Sequence, residues 1–207
     1  MIDKVEDTAA DIAWMRRLAE EGSQAPMQGA SILFAAGVIY GLGSLLHWPA
    51  VADVVSLSEP MLSFIWVGAT ALFLVILTVV IAGLKRAGGV QTAANRAAGT
   101  AGAAVGWGIF ALSMSMGALG LVLGGSAALV TLALMPSMIL VFYGMGWAVT
   151  AAMLKSRNLW ILAIASFAAA PALAALAGRD EQYLAYAAAL FLLMALPGWL
   201  LMRAAKR

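Results

Sequence analysis

The chain contains no cysteine and few charged residues, and each of these shortages removes a class of function. Without thiols, the protein cannot form disulfides, thiolate metal sites or a cysteine nucleophile. Only 11% of its 207 residues are charged, 64% are hydrophobic, and the mean hydropathy is +0.96. A soluble domain carries about a quarter charged residues. We therefore expect this chain to have lipid as its solvent, as an integral membrane protein.

Six stretches are long and apolar enough to cross a bilayer, which takes about 20 helical residues. None alternates with the two-residue period of a membrane β-barrel strand, so the sequence predicts an all-α protein with six transmembrane helices. The predicted organisation is a cytoplasmic segment over 1–28 followed by a bundle over 29–207. The predicted spans, numbered one to six, are 29–48, 61–84, 101–123, 129–154, 159–178 and 183–202.

Apart from Arg179, the basic residues lie in every second connection and in the two terminal segments. The first connection carries Asp53 and Glu59 without a base, and the fifth, Arg179-Asp180-Glu181, is net negative. Because basic side chains stay on the cytoplasmic side during insertion, the pattern predicts that both termini are cytoplasmic. The basic residues that fix this orientation are Lys85, Arg86, Arg96, Lys155, Arg157, Arg203, Lys206 and Arg207.

The span cores lack Asp, Glu, Lys and Arg, which proton pumps, ion-driven transporters and intramembrane hydrolases usually need. The one histidine, His47, stands beside Trp48 at the end of span one. It is either an outer-side acid/base or metal ligand, or an interfacial polar anchor. We favour the anchor, because a single histidine without cysteine cannot build a metal site. We expect no catalytic residue, metal or cofactor, and no nucleic-acid partner, because aromatic and basic residues are not interleaved.

Glycines spaced four apart occur in three places and would let helix backbones approach closely within the bundle. These are Gly37 with Gly41, Gly102 with Gly106, and Gly120 with Gly124. Tyr40-Gly41-Leu42-Gly43 in span one is also echoed by Tyr143-Gly144-Met145-Gly146 in span four. If the echo is a repeat, spans one and four are equivalent helices of two inverted three-helix halves.

Before the first span, residues 11–22 read DIAWMRRLAEEG. Thr8 and Asp11 form a capping box and Gly22 is a natural stop, so the segment is predicted to be a short helix. Residues 1–22 hold six acidic and three basic side chains, a net charge of −3 that an anionic lipid surface would repel. The apolar face should therefore pack on the bundle's own cytoplasmic ends or dock another protein. The candidate docking residues are Ile12, Trp14, Met15 and Leu18.

This segment, followed by an apolar helix that ends in His47-Trp48, resembles a loose group of small six-helix bacterial inner-membrane proteins of uncharacterised function. The stretch FYGMGWAVTAA at 142–152 is similar to the same group. The resemblance covers most of the chain. It implies a bacterial inner-membrane location and no activity, cofactor or site.

Two functions fit these observations. In the first, the protein is non-enzymatic and acts through protein contacts, as a subunit or scaffold that docks a membrane or cytoplasmic partner with its N-terminal helix. In the second, it is a carrier or facilitator for a neutral or apolar solute, built from two three-helix halves. Hydrogen-bonding groups for such a path would be Tyr40, Tyr143, Ser113, Thr131 and Ser137. A cavity between spans one and four would favour the carrier, and a close-packed interior the scaffold.

Overall fold

A computed structural model of the chain describes Trp14 and residues 29–87 and 93–204. Trp14 is helical and 63% exposed; the rest of the predicted amphipathic helix, including Ile12, Met15 and Leu18, lies outside the described residues. Within the described ranges every regular element is helical. The elements are α1 (Ala30–Val51), α2 (Glu59–Ala87), α3 (Ala93–Leu123), α4 (Gly125–Leu154), α5 (Arg157–Ala174), α6 (Glu181–Leu190), a π-helical segment (Phe191–Ala195) and α7 (Leu196–Ala204).

Six helices are long and apolar enough to cross a membrane, which confirms the prediction of six apolar helices of spanning length. The sixth is continuous from Glu181 to Ala204 and comprises α6, the π-helical segment and α7; we refer to it as span six. The helix α3 begins at Ala93 and so extends before the predicted third span, which starts near residue 101. The additional turns are rich in alanine, which favours helix strongly but contributes little hydropathy.

Contacts between neighbouring helices show that successive spans run in opposite directions. Along α1, Gly37 faces Ala195 and Ser44 binds the carbonyl of Tyr183, so α1 and span six are antiparallel. Along α4 and span six, by contrast, the numbers of the paired residues rise together: Gln182 binds the carbonyl of Ala133, and Trp147 binds the carbonyl of Leu193. These two helices are therefore parallel, and α4 is antiparallel to α1. Contacts show in the same way that α2 is antiparallel to α1, and that α3 and α5 are both antiparallel to α4. The six spans therefore alternate in direction along the chain.

The helices form two layers of three. In one layer α1 lies between α2 and span six, and in the other α4 lies between α3 and α5. The pattern of contacts stays the same when the first three spans are exchanged with the last three. In this exchange α1 takes the place of α4, α2 that of α5, and α3 that of span six. The contact of α1 with span six then corresponds to the contact of α4 with α3. Each half of the chain thus contributes its third helix to the other half's layer.

The two layers meet at a core formed by α1, α4, α5 and span six. Its buried residues are Ala36, Leu140, Ala170, Leu173, Tyr186, Leu190 and Met194. By contrast, α2 and α3 lie at the periphery and expose large apolar side chains, among them Phe64, Trp107 and Leu121. Exposed apolar faces on helices of this length suit lipid contact.

Glycines of α1 and span six let these two helices approach closely at the inner half of α1, the half that begins at Ala30. A Cβ atom added at Gly37 would collide with the backbone of Ala195, and one at Gly198 would lie 2.6 Å from the backbone nitrogen of Phe34. At Gly41 a Cβ would lie 2.8 Å from the Phe191 ring. At Gly102, Gly106 and Gly124, by contrast, no described atom of a neighbouring helix lies within 4 Å. Of the spaced glycine pairs, therefore, Gly37 with Gly41 brings helices together within the described residues, while the α3 pair faces open space.

The two similar segments, Tyr40-Gly41-Leu42-Gly43 and Tyr143-Gly144-Met145-Gly146, do not have equivalent neighbours when the two halves of the chain are exchanged. Gly41 accommodates a phenyl ring of span six, whereas Gly144 accommodates the Phe167 ring of α5. Under the exchange, span six corresponds to α3 and not to α5. The echoed glycines therefore face non-equivalent neighbours, and the two-layer arrangement rests on helix contacts rather than on this sequence match.

We expect Gly37→Ala to destabilise the bundle by about 1–3 kcal/mol, because the added methyl group meets backbone that cannot move aside. The matched control is Gly102→Ala, where the methyl group enters open space and a better helix former should leave stability unchanged or raise it. Thermal unfolding of the purified variants in detergent measures both changes. Equal melting temperatures for the two variants would contradict the close contact at Gly37.

Candidate functional site

At the outer end of the bundle, where α1 ends, His47 is held between two other aromatic residues. The Trp66 indole Nε1–H of α2 donates a hydrogen bond to His47 Nδ1 at 3.1 Å. The Tyr183 ring of span six stacks on the imidazole with 4.4 Å between ring centroids. Because Nδ1 accepts a hydrogen bond, it carries no proton in this arrangement. His47 thus joins α1, α2 and span six, and no group of three metal-binding side chains occurs among the residues the structure describes.

Three tyrosines lie deeper, at the boundary between the two layers. Tyr186 is 4% exposed within the core, and Tyr40 and Tyr143 pack against the same cluster. Tyr40 hydroxyl donates to Thr70 Oγ1 at a long 3.4 Å, and its ring lies 5.6 Å from that of Phe73.

These residues form a continuous series from the outer end towards the middle of the bundle. Tyr183 and Tyr186 are one turn apart on span six, and His47 and Tyr40 are two turns apart on one face of α1. We call His47, Tyr183, Tyr186, Tyr40 and Tyr143 the aromatic track. It is polar at its hydroxyls and imidazole and apolar elsewhere, which is the composition typical of small-molecule sites.

Below Tyr143, the inner half of the bundle is closed by Trp147. This residue is 3% exposed, and its indole Nε1–H donates to the carbonyl of Leu193 at 3.1 Å. In an α-helix the N–H of residue 197 would bind that carbonyl, but residue 197 is proline and has no N–H. The indole therefore satisfies a carbonyl that Pro197 leaves free, beside the π-helical segment.

Other buried polar side chains also bind backbone carbonyls of neighbouring helices. Gln182 Nε2 donates to Ala133 at 2.6 Å and to Leu173 at 3.2 Å, which ties span six to α4 and α5. Ala133 lies within α4, and Leu173 lies in the last turn of α5, where its carbonyl also accepts a hydrogen bond from the backbone N–H of Leu176 at 3.1 Å. Gln182 thus holds the helices together by hydrogen bonds to their backbone carbonyls.

The structure brings together only some of the residues predicted to form a polar path. Tyr40 and Tyr143 meet at the core, whereas Ser137 Oγ donates to the carbonyl of Ala170 in the contact between α4 and α5. Ser113 binds the carbonyl of Ile109 in its own helix on the peripheral α3, and Thr131 lies half-buried in the first turns of α4.

Two buried residues in the first two turns of span six have no part in the sequence prediction. Gln182 and Tyr186 lie four apart, so they share one helix face. A polar pair on one face of an otherwise apolar helix is the signal that could have identified them.

Comparisons of the chain with protein-family models, with curated proteins and with solved structures find no match. The class of the protein therefore follows from its own composition and fold: it is an all-helical chain with six helices that could span a membrane.

We expect Trp147→Phe to lower stability by about 0.5–2 kcal/mol, because it removes the donor to the Leu193 carbonyl and keeps most of the ring. In a Pro197→Ala background, residue 197 regains an N–H that can bind the Leu193 carbonyl. Trp147→Phe should then lower the free energy of unfolding by less than half as much. The control is Trp160→Phe, at an indole that is 44% exposed on α5. Unfolding measurements on the four-variant cycle test the coupling, and an equal cost in both backgrounds would refute it.

Proposed function

We propose that this protein is a non-enzymatic carrier or facilitator for an uncharged, largely apolar solute. The observation that carries the proposal is the arrangement of two layers that correspond when the halves of the chain are exchanged. Inverted three-helix halves are a common basis of transporters, whose sites lie between the halves near the middle of the membrane. The tyrosines of the aromatic track occupy that boundary.

The charge distribution supports an uncharged solute. No Asp, Glu, Lys or Arg lies within the central turns of the six spans, and the described charged residues lie at helix ends or in connections. A charged solute or coupling ion at membrane depth would need a charged or strongly polar partner there. The aromatic track offers hydroxyls and one imidazole, which suit a neutral molecule.

The basic residues support an orientation with both termini in the cytoplasm of a bacterial inner membrane. Because successive spans alternate in direction, the described basic ends of α2, α3, α4, α5 and span six fall at one end of the bundle. Those residues are Lys85, Arg86, Arg96, Lys155, Arg157 and Arg203. The positive-inside rule makes that end cytoplasmic and places the outer end of the aromatic track on the opposite side.

The absence of cysteine allows this orientation to be tested with single introduced thiols. A cysteine at Ser58, between α1 and α2, should react with a membrane-impermeant maleimide in cells whose outer membrane has been permeabilised. A cysteine at Ser156, between α4 and α5, should react only after the inner membrane is opened. The reverse pattern would overturn the orientation.

A carrier must also open its inner half, which is closed by the contacts of Gly37, Gly198 and Trp147. We expect Ala36→Cys, a change at a residue 6% exposed in the core, to react slowly with impermeant maleimide added to the cytoplasmic face of inverted vesicles. Ser156→Cys serves as the fast-reacting reference. If the thiol at position 36 reacts only after denaturation, the inner half does not open and the carrier proposal fails.

A second candidate function is action through protein contacts by the N-terminal segment, with Ile12, Trp14, Met15 and Leu18 as docking residues. The observation that favours it is Trp14, a helical indole that is 63% exposed, since exposed tryptophans often anchor interfaces. Trp14→Ala and deletion of 1–22 should both release a co-purifying partner. Trp160→Ala, at another exposed indole, should retain it. Retention of the same proteins by all variants would argue against docking.

A further inference from the structure

The outer half of α2 is held to the bundle by one face of α1. This helix packs mainly on α1, and its spanning stretch has no buried residue. The Trp66 ring lies across one turn of α1: a Cβ atom at Gly43 would lie 4.0 Å from the ring, and the indole Nε1–H donates to His47 Nδ1 at 3.1 Å. Nearer the middle of the bundle, the Tyr40 hydroxyl reaches Thr70 Oγ1 at 3.4 Å. The bond between Trp66 and His47 is the shorter of these two polar contacts.

The bond between Trp66 and His47 requires a neutral imidazole. An indole N–H can only donate a hydrogen bond, and a protonated imidazole carries a hydrogen on both nitrogens, so it cannot accept one. Histidine is the side chain whose charge ordinarily changes between about pH 5 and 8. His47 lies at the outer end of the bundle and is only partly buried, so protons from the outer compartment can reach it. The stack with Tyr183 tolerates the added charge, because the face of an aromatic ring attracts a cation.

Other charged or titratable groups lie on the elements that meet at this end of the bundle. The Tyr183 ring of span six faces the imidazole directly. The outer ends of α1, α2 and span six and their connections add carboxylates and one guanidinium, namely Asp53, Glu59, Asp180, Glu181 and Arg179. All of these groups stay in place when His47 alone is changed. An acid response that depends on His47 can therefore be separated from theirs.

We propose that His47 and Trp66 form an acid-sensitive latch for α2. With a neutral imidazole the latch is closed, and the indole ties α2 to the end of α1. Protonation of Nδ1 places two N–H groups against each other and breaks the bond. The packing at Gly43 and the long contact between Tyr40 and Thr70 then hold α2 alone, and its outer end moves away from α1. The latch concerns the packing of two helices and does not depend on the proposed carrier function.

The indole N–H of Trp66 reports the state of the latch directly. Protein with ¹⁵N-labelled indoles in lipid nanodiscs gives a signal for each of the seven tryptophans, and Trp66→Phe identifies that of Trp66. We expect this signal to move in one step as the pH is lowered from about 8 to about 5, because the hydrogen bond is lost. The control is His47→Gln, whose amide oxygen can accept from the indole but does not titrate, so the step should be absent. No step with His47 present, or the same step in His47→Gln, would overturn the latch.

A second measurement follows the movement of α2. Nitroxide labels are attached after Leu46→Cys and Val67→Cys, at residues of α1 and α2 that are 62% and 63% exposed, in a chain without other cysteines. The dipolar broadening between the labels should decrease from about pH 8 to about pH 5, because the helices separate, and should stay constant in His47→Gln. Trp66→Phe, which lacks the donor, should give the weaker broadening at both pH values. Equal broadening at the two pH values with His47 and Trp66 present would show that α2 does not move, which contradicts the proposal.

Discussion

The structure depends on one constraint, which is that hydrocarbon offers no hydrogen bonds to backbone groups that a helix leaves unpaired. Pro197 creates such a group inside span six, and Trp147 of α4 donates to the carbonyl of Leu193, whose α-helical partner would be residue 197. Gln182 adds hydrogen bonds to carbonyls of α4 and α5. Side-chain donors that bind backbone carbonyls of neighbouring helices are therefore the polar contacts that hold the layers together.

A second consequence is the difference between the two ends of the α1–span six interface. Towards the inner end, Gly37 and Gly198 let the backbones touch, and dispersion between closely packed atoms replaces the hydrophobic force that lipid does not supply. Towards the outer end the same helices are separated by aromatic rings, and Ser44 provides a hydrogen bond to the carbonyl of Tyr183. At that end the two helices are held apart by side chains rather than in contact through their backbones.

Much of this fold could be predicted from the sequence, because span length and apolarity are local properties. The six helices follow from hydropathy, which does not show where a weakly apolar helix end such as the start of α3 lies. The pairing of residues could not be predicted in the same way. Trp147 with Leu193 and Gln182 with Ala133 join positions 46 and 49 apart, and nothing local in either segment specifies its partner.

The glycine pairs show the same limit. Gly37 with Gly41 and Gly102 with Gly106 have identical spacing, yet only the first pair faces a helix within the described residues. The four-residue spacing places two glycines on the same face of a helix. The rotation of the helix about its axis determines which neighbour that face contacts. Tyr186 was missed for a related reason, because its importance lies in the residues it meets from α1 and α4 and not in its neighbours along the chain.

Each half of the chain places its third helix in the layer formed by the other half, and the connections that this requires also constrain the two layers. Successive helices within a layer are joined directly, and only two connections pass from one layer to the other: the one between α2 and α3, and the one between α5 and span six. Because successive spans alternate in direction, these connections lie at opposite ends of the bundle. In the proposed carrier function, layers tethered once at each end would not separate freely but would rock about the buried core between the tethers. Such rocking would open one end of the layer boundary as it closes the other, with the tyrosines of the aromatic track beside the pivot.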